Sequence, residues 1–218
     1  MSCSDNHICP LCLNQAIDHY HQDKARDYFQ CRRCQLVFVD RASLPPLSAE
    51  KAVYDCHQND VDDPGYRRFL NRTAEPLLEQ INAQSNGLDF GCGPGPALAA
   101  MFTEQGHSMA TYDPIFAPDQ TPLSRQYDFV TCTEAIEHFH YPHQEWQTLL
   151  KLVRPGGYLA IMTKLVVNQQ RFSQWHYKLD PTHVSFFSRA TFEYLAQRDH
   201  LTLEFIDSDV MLFQTPKD

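Results

Sequence analysis

Four cysteines stand in two pairs near the start of the chain: Cys9-Pro10-Leu11-Cys12, eighteen intervening residues, then Cys31-Arg32-Arg33-Cys34. Two residues between cysteines let both sulfurs of a tight knuckle face one ion, and two knuckles supply the four thiolates of a tetrahedral zinc site. The protein would fill every ligand position, so the expected ion is structural rather than catalytic. Tyr28 to Gln30 and Leu36 to Val39 flank the second knuckle and are expected to pair as a hairpin, the architecture of a zinc ribbon. The competing explanation is four unrelated buried thiols. His7, His19 and His21 could replace a cysteine, though surface imidazoles account for them equally; Cys3 and Cys56 have no partner at knuckle spacing.

A second group is Leu88-Asp89-Phe90-Gly91-Cys92-Gly93-Pro94-Gly95-Pro96. A short strand runs into a Gly-x-Gly-x-Gly turn that opens a helix, where a ligand can approach bare backbone beside the helix N-terminus. The spacing is not the Gly-x-Gly-x-x-Gly of dinucleotide sites. Asp89 ahead of the glycines would repel a pyrophosphate but accept hydrogen bonds from an ammonium, which favours a cationic nucleoside. Asp113 follows Gly95 by eighteen residues, at the end of the next strand, where a carboxylate can hold two ribose hydroxyls. Its alternative role is a turn carboxylate before Pro114.

A third group is rich in histidine: His138, His140 and His143, then Trp175-His176-Tyr177-Lys178-Leu179-Asp180-Pro181-Thr182-His183. Histidine titrates near neutrality and suits removal of a proton from a nucleophile. His183 and His138 are the candidate bases, with Asp180 and Tyr177 available to orient His183. The alternative is that His183 bridges backbone groups and orders its loop. Glu137 can serve as a favourable charge at a helix N-terminus.

The elements that must position these groups follow from periodicity and punctuation. Gly65 to Gln84 places Phe69, Leu70, Thr73, Leu77, Leu78 and Ile81 at helical spacing, with Pro76 expected to kink or restart the helix. Strands are expected at Gly87 to Phe90, Ser108 to Tyr112, Tyr127 to Cys132 and Tyr158 to Thr163. Helices are expected at Pro96 to Gln105, His143 to Val153 and Ser188 to Gln197, with a turn at Arg154-Pro155-Gly156-Gly157. Two tail strands, Leu201 to Ile206 and Val210 to Gln214, meet at Asp207-Ser208-Asp209. Strands alternating with helices predict an α/β fold with a mostly parallel sheet, here closed by a C-terminal antiparallel hairpin. Both histidine segments then leave the carboxyl ends of parallel strands, where open sheets of this kind place ligands.

The chain has 218 residues, 43% hydrophobic and 12% aromatic, with a formal charge of -9. That allows one full domain plus a small appendage with a buried core. No apolar run reaches the roughly 18 residues of a membrane span, and the first residues lack the pattern of a secretory leader, so a cytoplasmic location is expected. Reduced thiols there argue for metal ligation and against a disulfide framework. Both the first 60 residues (net -2) and the remainder (net -7) are acidic, which argues against nucleic acid as a partner.

Leu88 to Gly95, Tyr112-Asp113, Tyr127 to His138 and Leu152-Val153-Arg154-Pro155-Gly156-Gly157 resemble the successive motifs of class I S-adenosylmethionine-dependent methyltransferases, and most closely the quinol O-methyltransferase-like branch. The resemblance covers about residues 62 to 218. It implies a Rossmann-like methyltransferase domain over 62–218, preceded by the zinc ribbon at 1–43 and a linker or lid at 44–61 that begins Leu44-Pro45-Pro46. It also implies that Asp89, Gly91, Gly93 and Gly95 surround the methionine moiety, with Cys92 lining the same cofactor loop, that Asp113 holds the ribose, and that Thr133 and Glu134 sit by the sulfonium. Arg72, or Arg68, would meet the cofactor carboxylate; a solvated helix face is the alternative. Thr182-His183 followed by Phe186-Phe187 resembles an acceptor-side motif, and Tyr54 and His57 would face inward from a lid, unless that stretch is a plain polar connector. One departure stands out: fourteen residues separate Asp113 from Asp128, where a helix and a strand need about thirty. The sheet is therefore expected to be one strand short, with the Ile115 to Leu123 loop over the adenine edge and Asp119 a weak substitute for an adenine-binding acid.

The expected function is methyl transfer from S-adenosylmethionine to a small-molecule acceptor at O, N or C. The rivals are an RNA methyltransferase whose ribbon grips its substrate, and a non-catalytic adaptor with a vestigial cofactor pocket. The ribbon could also serve dimerisation or a protein partner.

Overall fold

The structure, a computed structural model, describes residues 7–54 and 60–217; of Leu47, Ser48, Ala52 and Tyr54 it describes the backbone alone. Cys3, Cys56, His57 and the inward-facing Tyr54 side chain expected of a lid lie outside the described residues.

In chain order the elements are β1 (Ile17–Gln22), β2 (Asp27–Cys31), β3 (Val37–Val39), α1 (Leu47–Tyr54), α2 (Pro64–Leu78), β4 (Asn86–Phe90), α3 (Ala97–Glu104) and β5 (Ser108–Tyr112). They continue with β6 (Tyr127–Thr133), α4 (Pro142–Leu152), β7 (Val153–Met162), α5 (Gln169–Ser173), β8 (Ser185–Phe186), α6 (Arg189–Arg198), β9 (Thr202–Phe205) and β10 (Val210–Gln214). Six strands form the main sheet in the order β5-β4-β6-β7-β10-β9, parallel from β5 through β7 and antiparallel at β10 and β9. β5 is an edge: no strand follows it before β6, as the short Asp113–Asp128 interval predicts. The loop after β5 folds back through an Asp113–Ala117 bridge instead.

Alternation along the strands decides what covers each face. Leu88, Phe90, Val130, Leu159, Ile161, Met211 and Phe213 pack with Trp146, Leu149, Phe192 and Leu195 from α4 and α6. Their out-of-phase neighbours Phe129, Ala160 and Leu212 pack with Leu70, Leu77, Leu98 and Phe102 from α2 and α3. α2 starts at an Asp63 cap and runs without interruption through Pro76, ending two residues later, so the proline falls in the last turn and does not restart the helix. α6 carries a Ser188–Thr191 capping box.

The turn expected at Arg154–Gly157 lies inside β7. The register of β6 against β7 jumps from Tyr127–Val153 to Phe129–Tyr158, so the extra residues bulge, and Gly156 takes φ 75° while its N–H bonds the Pro216 carbonyl.

A second sheet has the order β1-β2-β3-β8. Tyr28 to Gln30 pair with Val37 to Val39 as the sequence predicts, and β1 adds a strand that the cysteine spacing does not reveal. The fourth strand comes from far along the chain: Val37 pairs with Phe186 and Phe38 with Ser185. Cys9, Leu11, Cys31, Cys34, Leu36 and Phe38 join the apolar cluster under the main sheet. Tyr20, Tyr28, Val37 and Val39 pack with Phe172, Tyr177, Val184 and Phe186. The N-terminal hairpins are thus continuous with the rest of the molecule in both hydrogen bonding and core.

Candidate active site

A cavity of about 790 Å³ opens at the carboxyl ends of β4, β5 and β6, within the size range of small-molecule sites. β4 delivers Asp89, which is buried and accepts a hydrogen bond from the Thr131 hydroxyl at 2.8 Å. Burial pushes its carboxyl up to about 6, against the lowering effect of that bond and with help from the nearby Asp113 charge. The loop that follows needs its glycines: Gly91 and Gly93 have φ of 76° and 64°, and a Cβ on Gly91 would meet the Ala135 Cβ at 2.6 Å. Cys92 also lines the cavity, and burial pushes its thiol up to about 12, with Asp89 and Asp113 adding to the effect.

Asp113, at the end of β5, uses both oxygens on backbone: Oδ2 accepts from Gly93 N–H at 3.1 Å, and Oδ1 from Ile115 and Phe116 N–H at 2.8 and 2.9 Å. It is therefore a turn carboxylate and also a wall of the cavity, and Oδ2, with a single backbone bond, keeps a lone pair for a ligand hydroxyl. Ile115, Phe116 and Leu123 line the same side, while Asp119 is spent on Thr121 and does not reach the cavity.

β6 ends in Thr133 and Glu134, both on the cavity wall. Glu134 has φ 47°, and its Oε1 is buried without a partner; Oε2 accepts a long bond from the Tyr177 hydroxyl at 3.4 Å. Burial first, then the Glu137 charge, pushes its carboxyl up to about 8, with Lys164 opposing. Glu137, fully buried, accepts from the Tyr177 hydroxyl at 2.5 Å and the Thr163 hydroxyl at 2.9 Å.

His138 and His183 come together here, ring centroids 4.7 Å apart and both facing the cavity. His183 Nδ1 lies 2.7 Å from the Tyr177 carbonyl and His138 Nδ1 lies 3.1 Å from the Thr182 carbonyl. A carbonyl only accepts, so each Nδ1 carries the proton in the neutral ring, and Nε2 of His183 is left as the basic nitrogen. Burial and the neighbouring His138 hold the His183 pKa below the ordinary imidazole value despite Glu137 and Asp180. Glu137, His138 and His183 offer ligand atoms within 4.8 Å of one another, a spacing that could hold a cation, but both Glu137 oxygens are already engaged.

Arg72 does not reach this cavity. Its guanidinium is held by Asp207 at 2.7 Å and by Asp209, at the β9–β10 turn, and Arg68 lines a separate surface groove. Sequence reasoning missed Tyr66, whose hydroxyl is pushed up to about 12 by burial and then by Asp89, Glu134 and Cys92. The Asp63 cap that seats Tyr66 in the first turn of α2 is the signal that could have found it. It also missed Glu50 of α1, which bonds His140 Nε2 at 2.6 Å on the cavity rim.

The four knuckle cysteines sit apart from the cavity. Cys9 and Cys34 sulfurs are 3.5 Å apart, Cys12 and Cys31 sulfurs 3.4 Å, and all four lie within 4.8 Å of one another as free thiols. Zinc–sulfur bonds of about 2.3 Å in a tetrahedron need sulfurs roughly 3.8 Å apart, so the donor set fits that ion. Among the described residues no helix is long and apolar enough to cross a membrane.

Comparison with known proteins agrees with this architecture. The ubiquinone biosynthesis O-methyltransferase of Aeromonas salmonicida is 35% identical over 89 residues, 39% of this chain and 36% of that protein. The same enzyme of Proteus mirabilis is 28% identical over 86 residues, 39% of this chain and 35% of that protein. The chain thus matches only about a third of the length of these curated relatives. The crystal structure of Burkholderia thailandensis 1,6-didemethyltoxoflavin-N1-methyltransferase with 1,6-didemethyltoxoflavin and S-adenosylhomocysteine superimposes with a TM-score of 0.54 at 17% identity, covering 92% of this chain and 100% of that one, a likeness of fold. Residues 62–204 match the methyltransferase domain family, and the chain belongs to that family.

Proposed function

We propose that this protein is an S-adenosylmethionine-dependent methyltransferase acting on a small-molecule acceptor. The observation that carries the reading is one cavity with two chemically different ends: Asp89, the glycine loop and Asp113 at one, and Glu134, Glu137, His138 and His183 at the other. Asp89 and the glycine loop would hold the methionine portion of the cofactor and Asp113 its ribose, with Ile115, Phe116 and Leu123 on the adenine side. Thr133 and Glu134 would face the sulfonium. The cofactor supplies an electrophilic methyl whose sulfur leaves without needing a proton. The chain's task is then to align the acceptor and remove its proton. His183 Nε2 would take that proton, with Nδ1–H anchored on the Tyr177 carbonyl.

The sign of the wall narrows the acceptor. Among the described lining residues are seven Asp and Glu side chains, Glu50, Asp89, Asp113, Glu134, Glu137, Glu145 and Asp180, and no Lys or Arg; Glu134, pushed up to about 8, is mostly neutral near pH 7, so the negative sign comes from the ionised groups among the others. A sulfonium cofactor suits that field; an acceptor bearing a carboxylate or phosphate at the reacting end does not. RNA, which is gripped through its phosphates, fits neither this cavity nor the net charge of -9. Cys9, Cys12, Cys31 and Cys34 would hold one structural zinc ion.

Isothermal titration with S-adenosylhomocysteine tests the reading. Micromolar binding that weakens for Asp89→Asn supports it, and no heat at millimolar ligand overturns it in favour of an adaptor with a vestigial pocket.

A further inference from the structure

The loop that carries His183 has little regular structure of its own. Between β7 and β8 it runs through α5, a short turn at His176–Leu179 and the Asp180–Thr182 bend. Carbonyls in such a segment need partners, and here four of them share one: Arg26, at the tip of the β1–β2 hairpin. Its Nη1 donates to the carbonyls of Pro181 and His183, each at 3.0 Å, and its Nη2 to those of Asp180, at 3.0 Å, and Lys178. A planar guanidinium can serve four carbonyls at once because its donors are fixed in one fork; an ammonium presents a single point.

The hairpin tip is itself braced. Asp23 accepts from Ala25 and Arg26 N–H at 2.8 and 2.9 Å, from the Tyr28 hydroxyl at 2.8 Å and from the ammonium of the buried Lys178 at 3.1 Å. On the other side of His183, Val39 N–H bonds the Val184 carbonyl at 3.1 Å, and β3 pairs with Ser185 and Phe186. His183 is therefore gripped before and after by the hairpins that the four cysteines close.

We propose that Arg26 is a positioning residue for His183, and that the N-terminal ribbon is the scaffold of the acceptor-side wall rather than an independent module. Loss of Arg26 leaves the Pro181 and His183 carbonyls without a donor, and leaves those of Lys178 and Asp180 with only long bonds, from the Tyr28 hydroxyl at 3.4 Å and the His183 N–H at 3.3 Å, so the bend relaxes toward water and His183 leaves the Tyr177 carbonyl. The cofactor end, built from β4 and β5, shares no hydrogen bond with Arg26. The inference rests on the reading of the His183 end as the acceptor side, yet its readouts need no acceptor.

The test compares Arg26→Ala and Arg26→Lys with the full-length protein, and uses Arg32→Ala, which removes an exposed pair with Asp18 on the same hairpins, as a control. Nitrogen-15 spectra of the histidine rings report the His183 tautomer, and hydrogen exchange reports residues 178–184 and 88–95. The expected result for Arg26→Ala is exchange at least tenfold faster over 178–184, unchanged exchange over 88–95, loss of the single Nδ1–H tautomer of His183, and S-adenosylhomocysteine affinity within twofold of the parent. Arg26→Lys should show the same changes because it keeps charge and stem but not the fork; it also decides the matter should Arg26→Ala fail to fold. Unchanged exchange and an unchanged tautomer overturn the proposal, as does a uniform rise in exchange along the whole chain, which would make Arg26 merely structural. Failure of the parent protein to bind S-adenosylhomocysteine would sink the proposed activity and leave these readouts intact.

Discussion

The two ends of the cavity are built in different ways. At the cofactor end, Asp89, Gly91, Gly93 and Asp113 lie within 25 residues of one another on two neighbouring strands, and the side-chain bonds that order them are local to those strands and their loops except for one from Thr131 on the adjoining β6, 42 positions from Asp89. At the acceptor end, Glu137 and His138 depend on Tyr177 and Thr182, and His183 depends on Arg26, some 157 positions away. A site assembled from short-range contacts keeps its shape when distant parts loosen; one assembled from long-range contacts inherits the stability of everything it touches.

The largest effect should come from the metal. Cys9 and Cys34 are 0% exposed and belong to the shared core, so Cys34→Ser, or stripping the ion with a chelator, should lower Tm by more than about 10 °C, as expected for a loss of several kcal/mol in a chain of this size. Metal analysis should find one zinc per chain. If the acceptor end melts first under chelation while S-adenosylhomocysteine still binds, the contrast between the two ends is confirmed; simultaneous loss of both would erase it.

Next is the acceptor end alone. Once an acceptor is in hand, His183→Ala should cut kcat by about 10²- to 10⁴-fold, the usual range for a general base, with cofactor affinity unchanged. The complementary change at the cofactor end is Asp89→Asn, expected to cost about 1.5 to 3 kcal/mol of cofactor affinity, the worth of hydrogen bonds to a charged group, measured by titration calorimetry. Because the Asp89 carboxyl sits at about 6 in the free protein and its ionised form is the better acceptor for an ammonium, affinity should fall as pH drops below about 6 and level off above 7. The sign for stability is opposite: a carboxyl raised by burial favours folding in its protonated form, so Asp89 costs stability as pH rises from its unfolded value near 4 through 6. The smallest effect belongs to Arg72→Ala, which should leave cofactor affinity unchanged and cost about 1 kcal/mol of stability by freeing Asp207 and Asp209. A tenfold loss of cofactor affinity would return Arg72 to the site.

What could be read from the sequence follows the same division. The glycine turn, the strand ends at Asp89 and Asp113, and the cysteine knuckles are patterns within a few residues, and each forms the expected geometry. The missing strand could be read from a simple interval. β1, the β3–β8 pairing and the Arg26 clamp could not, because no local pattern in residues 17–39 encodes that Arg26 and β3 meet residues 178–186. Arg72 shows the same limit from the other side. Its helix position suits a cavity contact, but the direction of its side chain is decided by two aspartates at a turn near the end of the chain. Glu50 and His140 meet only because α1 folds over the rim, which linker composition does not show.

Seven Asp and Glu side chains and, among the described lining residues, no Lys or Arg around one cavity sort visitors by charge. The methyl donor arrives with a positive sulfur, and the spent cofactor leaves with a neutral one. In the proposed reaction the ionised carboxylates of that wall would favour the charged donor over its neutral by-product.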